Sequence, residues 1–268
     1  MNNIMHNDTL FQNIQFKVFN ELNTLLSNNN LNFFFTKGFP LSIRLYNNPF
    51  IRKSCDIDIF IQKKDIKKAI YILSKNHYTA EYSLDIIKKI YIIFGQEFSL
   101  IKKMPGIDIK IDIHTFHIDR FGNNTSDYFK NIEYIKWQNN KYPVLIIEFE
   151  FMYFIDHYFK HYKIRNKYKK DMHTFLKNNN KRKFLYKKLK RNFDKSILNK
   201  LNIKYKFKQY IRLLGGTIFS QKCNIIFRHI FIPFKTDIAL FKFKDNKVFL
   251  YLLFKPFRSV FALCKILY

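Results

Sequence analysis

Two aspartates stand two residues apart in the stretch Cys55-Asp56-Ile57-Asp58-Ile59. From Asp56 to Gln62 the chain alternates strictly, with Asp56, Asp58 and Phe60 on one side and Ile57, Ile59 and Ile61 on the other. That is the period of a β-strand, so both carboxylates face the same way. Carboxylates crowded on one face repel each other and lose hydration, and a divalent cation resolves the conflict. Mg²⁺ takes oxygen ligands and bridges carboxylates to substrate phosphates. A third carboxylate completes such a site, either holding a second ion or helping to activate an attacking hydroxyl. Residues Ile107 to Phe116 alternate again, with Asp108, Lys110, Asp112 and His114 sharing a face, so Asp108 and Asp112 are both candidates for the third position.

An acidic pair on a strand is also an ordinary solvated feature, and its neighbours weigh in favour of chemistry. Lys37-Gly38 lies upstream, where the charge of Lys and the close backbone approach that Gly allows suit a phosphate. Arg52 precedes the acidic strand and is placed either to grip phosphate as a fork donor or to orient Asp56 or Asp58 through a salt bridge. His114 is placed to orient Asp112 or a substrate. His157 and His161 are spaced to share a helix face, but the sequence between them is Tyr-Phe-Lys, with no metalloprotease Glu, so no zinc is expected. Cys55, Cys223 and Cys264 form no CxxC pair, which fits a reducing cytosol, and Cys55 reads as a small half-buried residue.

The elements that must position these groups are legible in outline. Phe11, Ile14, Val18, Leu22 and Leu25 recur at helical spacing behind Thr9 as a cap, which predicts a helix near 9–29. Asn32 to Thr36 is a short apolar strand, and Pro40 opens a short helix through Tyr46. Asp65 caps a further helix that carries Ile66, Ala69, Ile70 and Leu73. Ile90 to Phe94 and Phe98 to Lys102 suit a hairpin around Gly95-Gln96. Asn139, Asn140 and Pro143 mark a boundary between an α/β front half, 1–142, and a mainly helical, basic-aromatic back half, 143–268. Helices are expected over Glu148 to Tyr162, Asp171 to Lys177 and Lys181 to Lys200.

The 268 residues suffice for a real core, and a composition 47% hydrophobic and 25% charged is that of a globular chain. The net charge of +28 points to an anionic partner, such as nucleic acid, acidic lipid or nucleotide. The enrichment in Lys, Asn, Ile, Phe and Tyr, all with A/T-rich codons, accounts for that charge equally well as genome bias. The basic stretch Lys181 to Lys200 reads as a surface for nucleic acid or anionic lipid, or as a solvated helix face. Val248 to Tyr268 is apolar but interrupted by Lys255, Arg258 and Lys265, which suits a helix lying on a membrane surface or on its own domain. No signal peptide is evident at the start, and the expected location is cytoplasmic, with peripheral membrane contact through the basic C-terminal region as the variant.

Taken together, the run from Thr36-Lys37-Gly38 through Leu45-Tyr46 and Arg52 to Asp56-Ile57-Asp58 resembles an uncharacterised nucleotidyltransferase family of bacterial surface-polysaccharide loci. Ile111-Asp112-Ile113-His114 resembles that family's later acidic strand, and the segment from Phe154 to His161 with Asp171 resembles its helical part. Through it the chain resembles the DNA polymerase β-like superfamily. The resemblance implies an α+β fold, a small mixed sheet with flanking helices followed by a mainly helical C-terminal region. It implies Mg²⁺-dependent transfer of a nucleoside monophosphate from an NTP to an acceptor. It assigns Asp56, Asp58 and Asp112 as catalytic metal ligands, leaves Asp108 a solvated residue, and gives Lys37, Gly38 and Arg52 to nucleotide binding. Classical members have Gly-Ser at the phosphate turn where this chain has Lys37-Gly38-Phe39, so the donor base stays open. The acceptor is left unknown, with a glycan precursor of surface-polysaccharide metabolism as one candidate. A toxin–antitoxin type enzyme acting on protein or tRNA, and a catalytically silent basic module for membrane or nucleic acid, are the alternatives.

Overall fold

Along the first helix, α1 (Asn2–Asn28), the residues Gln12, Gln15, Val18, Phe19, Leu22, Asn23 and Leu26 are buried at three- and four-residue spacing. That stripe is what drives a helix onto a sheet. The helix begins at Asn2 and not near Thr9, because the stretch before Thr9 contains no Gly or Pro to stop it. A computed structural model of the chain describes residues 2–80, 97–115, 124–160, 170–171 and 174–175.

Strand β1 (Phe33–Thr36) follows, then α2 (Gly38–Tyr46), β2 (Asp56–Ile61), a 3-10 turn at Lys63–Asp65 and α3 (Ile66–Lys75). The chain continues through β3 (Tyr78–Ala80), β4 (Phe98–Met104), β5 (Ile107–His114), α4 (Thr125–Lys130), β6 (Ile132–Trp137), β7 (Asn140–Leu145) and α5 (Ile147–Lys160). The seven strands form one mixed sheet in the order β3-β4-β5-β2-β1-β7-β6. β2 lies at its centre, antiparallel to β1 and parallel to β5. The expected α+β architecture, a mixed sheet with flanking helices, is therefore what the chain forms.

Details differ from the sequence expectations for identifiable reasons. α2 opens at Gly38, and Pro40 falls within its first turn, where its missing N–H has no helical partner to lose. Asp65 makes no side-chain cap; its Oδ2 accepts from the backbone N–H of Asn32 at 3.1 Å instead. β4 pairs with β5 around Pro105-Gly106 and with β3 on its other side, while residues 90–94 lie outside the described residues. Asn139 and Asn140 stand at a hairpin, with Gln138 at φ 52°, that returns the chain from β6 to β7.

Phe35 meets Phe19 of α1 at a ring separation of 4.4 Å, and Phe19 meets Tyr142 of β7 at 4.8 Å. On the opposite face Phe34 stacks on Phe60 at 4.9 Å and meets Phe129 of α4 edge-on at 5.0 Å. Arg44 of α2 bridges Glu133 of β6 at 2.8 Å and Glu150 at 2.6 Å. Complete burial pushes the Glu150 carboxyl above its ordinary range, against the pull of Arg44 and Arg52.

The chain divides into two units. The first comprises Met1–Ile87, Gly95–His117 and Thr125–Glu150 and carries the whole sheet. The second comprises Lys88–Phe94, Ile118–Asn124 and Phe151–Tyr268; within it Phe151 and Phe154 close on Phe175 at 5.5 and 5.4 Å. The expected helix over Lys181 to Lys200, the apolar run from Val248 and Cys223 and Cys264 lie outside the described residues.

Candidate active site

Parallel pairing of β2 with β5 sets Asp58 directly opposite Asp112. Antiparallel pairing sets Thr36 of β1 opposite Asp58, and Ser99 of β4 opposite Asp112. Residues opposite one another in a ladder share a face of the sheet. Four adjoining strands therefore carry one transverse polar row, Thr36–Asp58–Asp112–Ser99, and every member is buried. One step along the strands lies an aromatic row. Phe34 stacks on Phe60, and Phe60 on His114 at 4.9 Å with 18° between the rings. Asp56, two residues before Asp58, lies on the same face and is half-buried.

Each carboxylate has its own environment. Asp58 Oδ1 accepts from Lys37 Nζ at 2.7 Å and lies 3.0 Å from His114 Nε2. Burial alone would raise the Asp58 carboxyl, but Lys37 and His114 outweigh it and hold it well below the usual carboxylate range. Asp56 moves the other way. Burial raises it first, the charges of Asp58 and Asp112 add to the rise, and Lys37 and a hydrogen bond from Ser54 oppose it. Asp112 Oδ1 accepts from Ser99 Oγ at 2.5 Å, and Lys110 Nζ lies 2.9 Å from Asp112 Oδ2. Burial would lower the Lys110 ammonium, yet its bond to Asp112 raises it. Asp58 is thus held as a fixed anion, while Asp56 resists ionising beside it.

The turn at the head of α2 closes the site. Lys37 takes φ 55° and ψ −144°, a conformation that L-residues with a side chain rarely adopt. Gly38 has φ 37°, and a Cβ there would meet Ser54 only at 3.7 Å, so Gly is called for by the backbone angle and not by crowding. No side chain caps the N-terminus of α2. A small cleft between this turn and β2 is lined by Thr36, Gly38, Phe39, Asp56 and Asp58, among others. Gln15 of α1 braces the start of β2, its amide lying 3.2 Å from both Ser54 O and Asp56 N.

The structure thus brings together Asp56, Asp58, Asp112, Lys37 and Gly38. Asp108 lies exposed on the same strand, opposite Lys103. Arg52 is buried, and its charge acts on Glu150, whereas Lys37 is the cation that acts most on Asp56 and Asp58. His114 contacts Asp58, not Asp112. Cys55 is exposed, not half-buried, and half-buried His157 belongs to the second unit, with His161 outside the described residues. Thr36, Ser54, Ser99 and Lys110 were not foreseen as site residues; the signal lay in cross-strand register, which a single sequence does not display.

The oxygen donors of the three aspartates suit a hard divalent cation, and the mutual repulsion that raises Asp56 is the tension such a cation relieves. In this structure Lys37 and Lys110 supply the opposing charge. Among the described residues no group of three acidic, His or Cys side chains stands converged as a finished metal cage.

The model of a family described as uncharacterised nucleotidyltransferases matches residues 7–200 of the chain, and the chain belongs to that family, an enzyme of the nucleotidyl-transfer class. Solved structures that the chain matches include a lincosamide antibiotic adenylyltransferase, LnuA, with lincomycin bound. It is 16% identical, with TM-score 0.41, over 59% of this chain and 93% of that one. A putative nucleotidyltransferase from Thermotoga maritima is 18% identical, with TM-score 0.37, over 61% and 93%. An antigenic nucleotidyltransferase-like protein from Paracoccidioides brasiliensis is 11% identical, with TM-score 0.43, over 65% and 85%. Comparison with curated proteins returns no match.

Proposed function

We propose that the chain moves a nucleoside monophosphate from a magnesium-bound NTP to a hydroxyl of a glycan precursor, with Asp56, Asp58 and Asp112 as the carboxylates that hold the metal. The observation that carries this reading is the register that sets Asp58 opposite Asp112 while Asp56 shares their face beside the cleft. The cation would neutralise the phosphate oxygens and the charge that develops on them. Lys37 and the uncapped head of α2 would receive the phosphates, since free backbone N–H groups and an ammonium both suit an anion. The acceptor oxygen then attacks the α-phosphorus in line. The bond from the α-phosphorus to the bridging oxygen breaks, pyrophosphate leaves, and Asp112 helps to take the hydroxyl proton. Arg52, buried and acting on Glu150, would support the fold around this site and remains a candidate for nucleotide binding.

Calorimetric titration with magnesium and non-hydrolysable NTPs tests the site. Asp58→Asn should abolish binding, and binding equal to wild type would sink the proposal. Incubation with labelled NTPs and separated glycan, tRNA and protein fractions tests the acceptor. Label is expected in the glycan fraction, and label confined to tRNA or protein would overturn that part alone.

A further inference from the structure

The polar row has one member whose hydrogen-bonding capacity is unused. At one end, on β4, Ser99 Oγ donates to Asp112. At the other end, on β1, Thr36 lies opposite Asp58 and is 2% exposed, and its Oγ1 is buried with no hydrogen-bond partner. An unpaired buried hydroxyl costs about 1–3 kcal/mol, whereas a valine methyl in the same space would carry no such cost. The fold therefore tolerates at Thr36 a group that does nothing for it in this arrangement.

Asp58 supplies the reason. Its partners are Lys37 and His114, and both engage Oδ1. Lys37 reaches it from a strained turn, at the very place where the phosphates are received in the reading above. A polyphosphate arriving there competes with Asp58 for the Lys37 ammonium. Residues directly opposite on antiparallel strands have Cβ atoms about 5 Å apart, so the Thr36 hydroxyl reaches the Asp58 carboxylate by side-chain rotation alone.

We propose that Thr36 is a positioning residue for Asp58: when Lys37 turns from Asp58 to phosphate, the Thr36 hydroxyl donates to the Asp58 carboxylate and holds it in the row, as Ser99 holds Asp112. This inference rests on the proposed function for the arrival of phosphate; the Thr36–Asp58 bond is its own content.

The experiment compares wild type, Thr36→Val, Thr36→Ser and Asp58→Asn as full chains. Each is melted without nucleotide and titrated with magnesium and the α,β-methylene triphosphates of adenosine, guanosine, cytidine and uridine. Thr36→Val should melt at or above the wild-type temperature, since it removes an unpaired buried hydroxyl, yet bind the preferred triphosphate about tenfold more weakly. Thr36→Ser should bind as wild type does while melting lower, for want of the methyl group. Stability and affinity thus rank the two variants in opposite orders, which a purely structural hydroxyl would not produce. Unchanged binding in Thr36→Val, with binding lost in Asp58→Asn, overturns the inference and leaves the proposed function standing. A Thr36→Val protein that melts below wild type, or a Thr36→Ser protein as weak in binding as the Val variant, also overturns it. Wild-type binding in Asp58→Asn, or no binding by wild type itself, removes the proposed function and this inference together.

Discussion

Lys37 combines two costs that the protein accepts at one position. Its backbone sits at φ 55° and its ammonium is drawn onto a buried carboxylate. A residue bearing a Cβ at such angles is strained by about 1–2 kcal/mol relative to glycine. The two effects separate by substitution. Lys37→Ala loses the ion pair and keeps the strain, whereas Lys37→Gly loses the ion pair and the strain together. The Gly variant should therefore be the more stable of the two by about 1 kcal/mol in denaturant titration. An Ala variant of equal or greater stability would mean that the turn is relaxed. The acidic residues were legible in the sequence because Asp56 and Asp58 obey the strand period, and so does Asp112. Their partners were not. His114 is two residues from Asp112 in the chain, yet its ring stacks on Phe60 and its Nε2 reaches diagonally to Asp58. Nothing in the order of residues reports which neighbour across a ladder a side chain will choose.

Among the elements, β1, β2, α3 and β5 were legible because an apolar run, strict alternation or helical spacing declares each of them. The β6–β7 hairpin was not. Pro143 and two adjacent asparagines carry the composition of a loop, yet Pro143 sits within β7 opposite Tyr134. β1 pairs with β7 only at Phe35 and Val144, so there is little ladder on that side for a proline to interrupt. α2 is tied to this hairpin by Arg44, whose partners Glu133 and Glu150 differ in burial. The Glu150 carboxyl is raised by burial, so the folded chain binds its proton more tightly than the unfolded chain does. Its contribution to stability is then present at low pH and is lost as pH climbs from the ordinary glutamate value of 4.5 through the raised one. Glu150→Gln does not titrate. Melting temperatures measured from pH 4 to 8 should show the Gln variant gaining on wild type as pH rises. A constant difference across that range would show that the Glu150 carboxyl titrates alike in the folded and unfolded chain.

For the molecule as a whole, a charge of +28 on 268 residues means self-repulsion on folding. Added salt screens repulsion between exposed charges more than it weakens buried pairs such as Lys37–Asp58. The melting temperature should accordingly rise between about 0.02 and 0.5 M sodium chloride, where the screening length shrinks severalfold. A fall would place the dominant charge interactions among attractive surface pairs. Among the described residues no helix is long and apolar enough to cross a membrane. The row that joins Thr36, Asp58, Asp112 and Ser99 also bears on how such a chain can change over generations. The site is assembled by pairing across four strands, so one residue inserted or deleted within β2 would turn Asp58 to the opposite face and bring an isoleucine in its place. Between the strands the constraint lifts. Loops that carry no site residue, such as residues 47–51 between α2 and β2, are free to lengthen or shorten, provided each strand re-enters the ladder in phase. Variation in length across the family should therefore gather in those connections, while the spacing from Asp56 to Asp58 and from Asp112 to His114 stays unchanged.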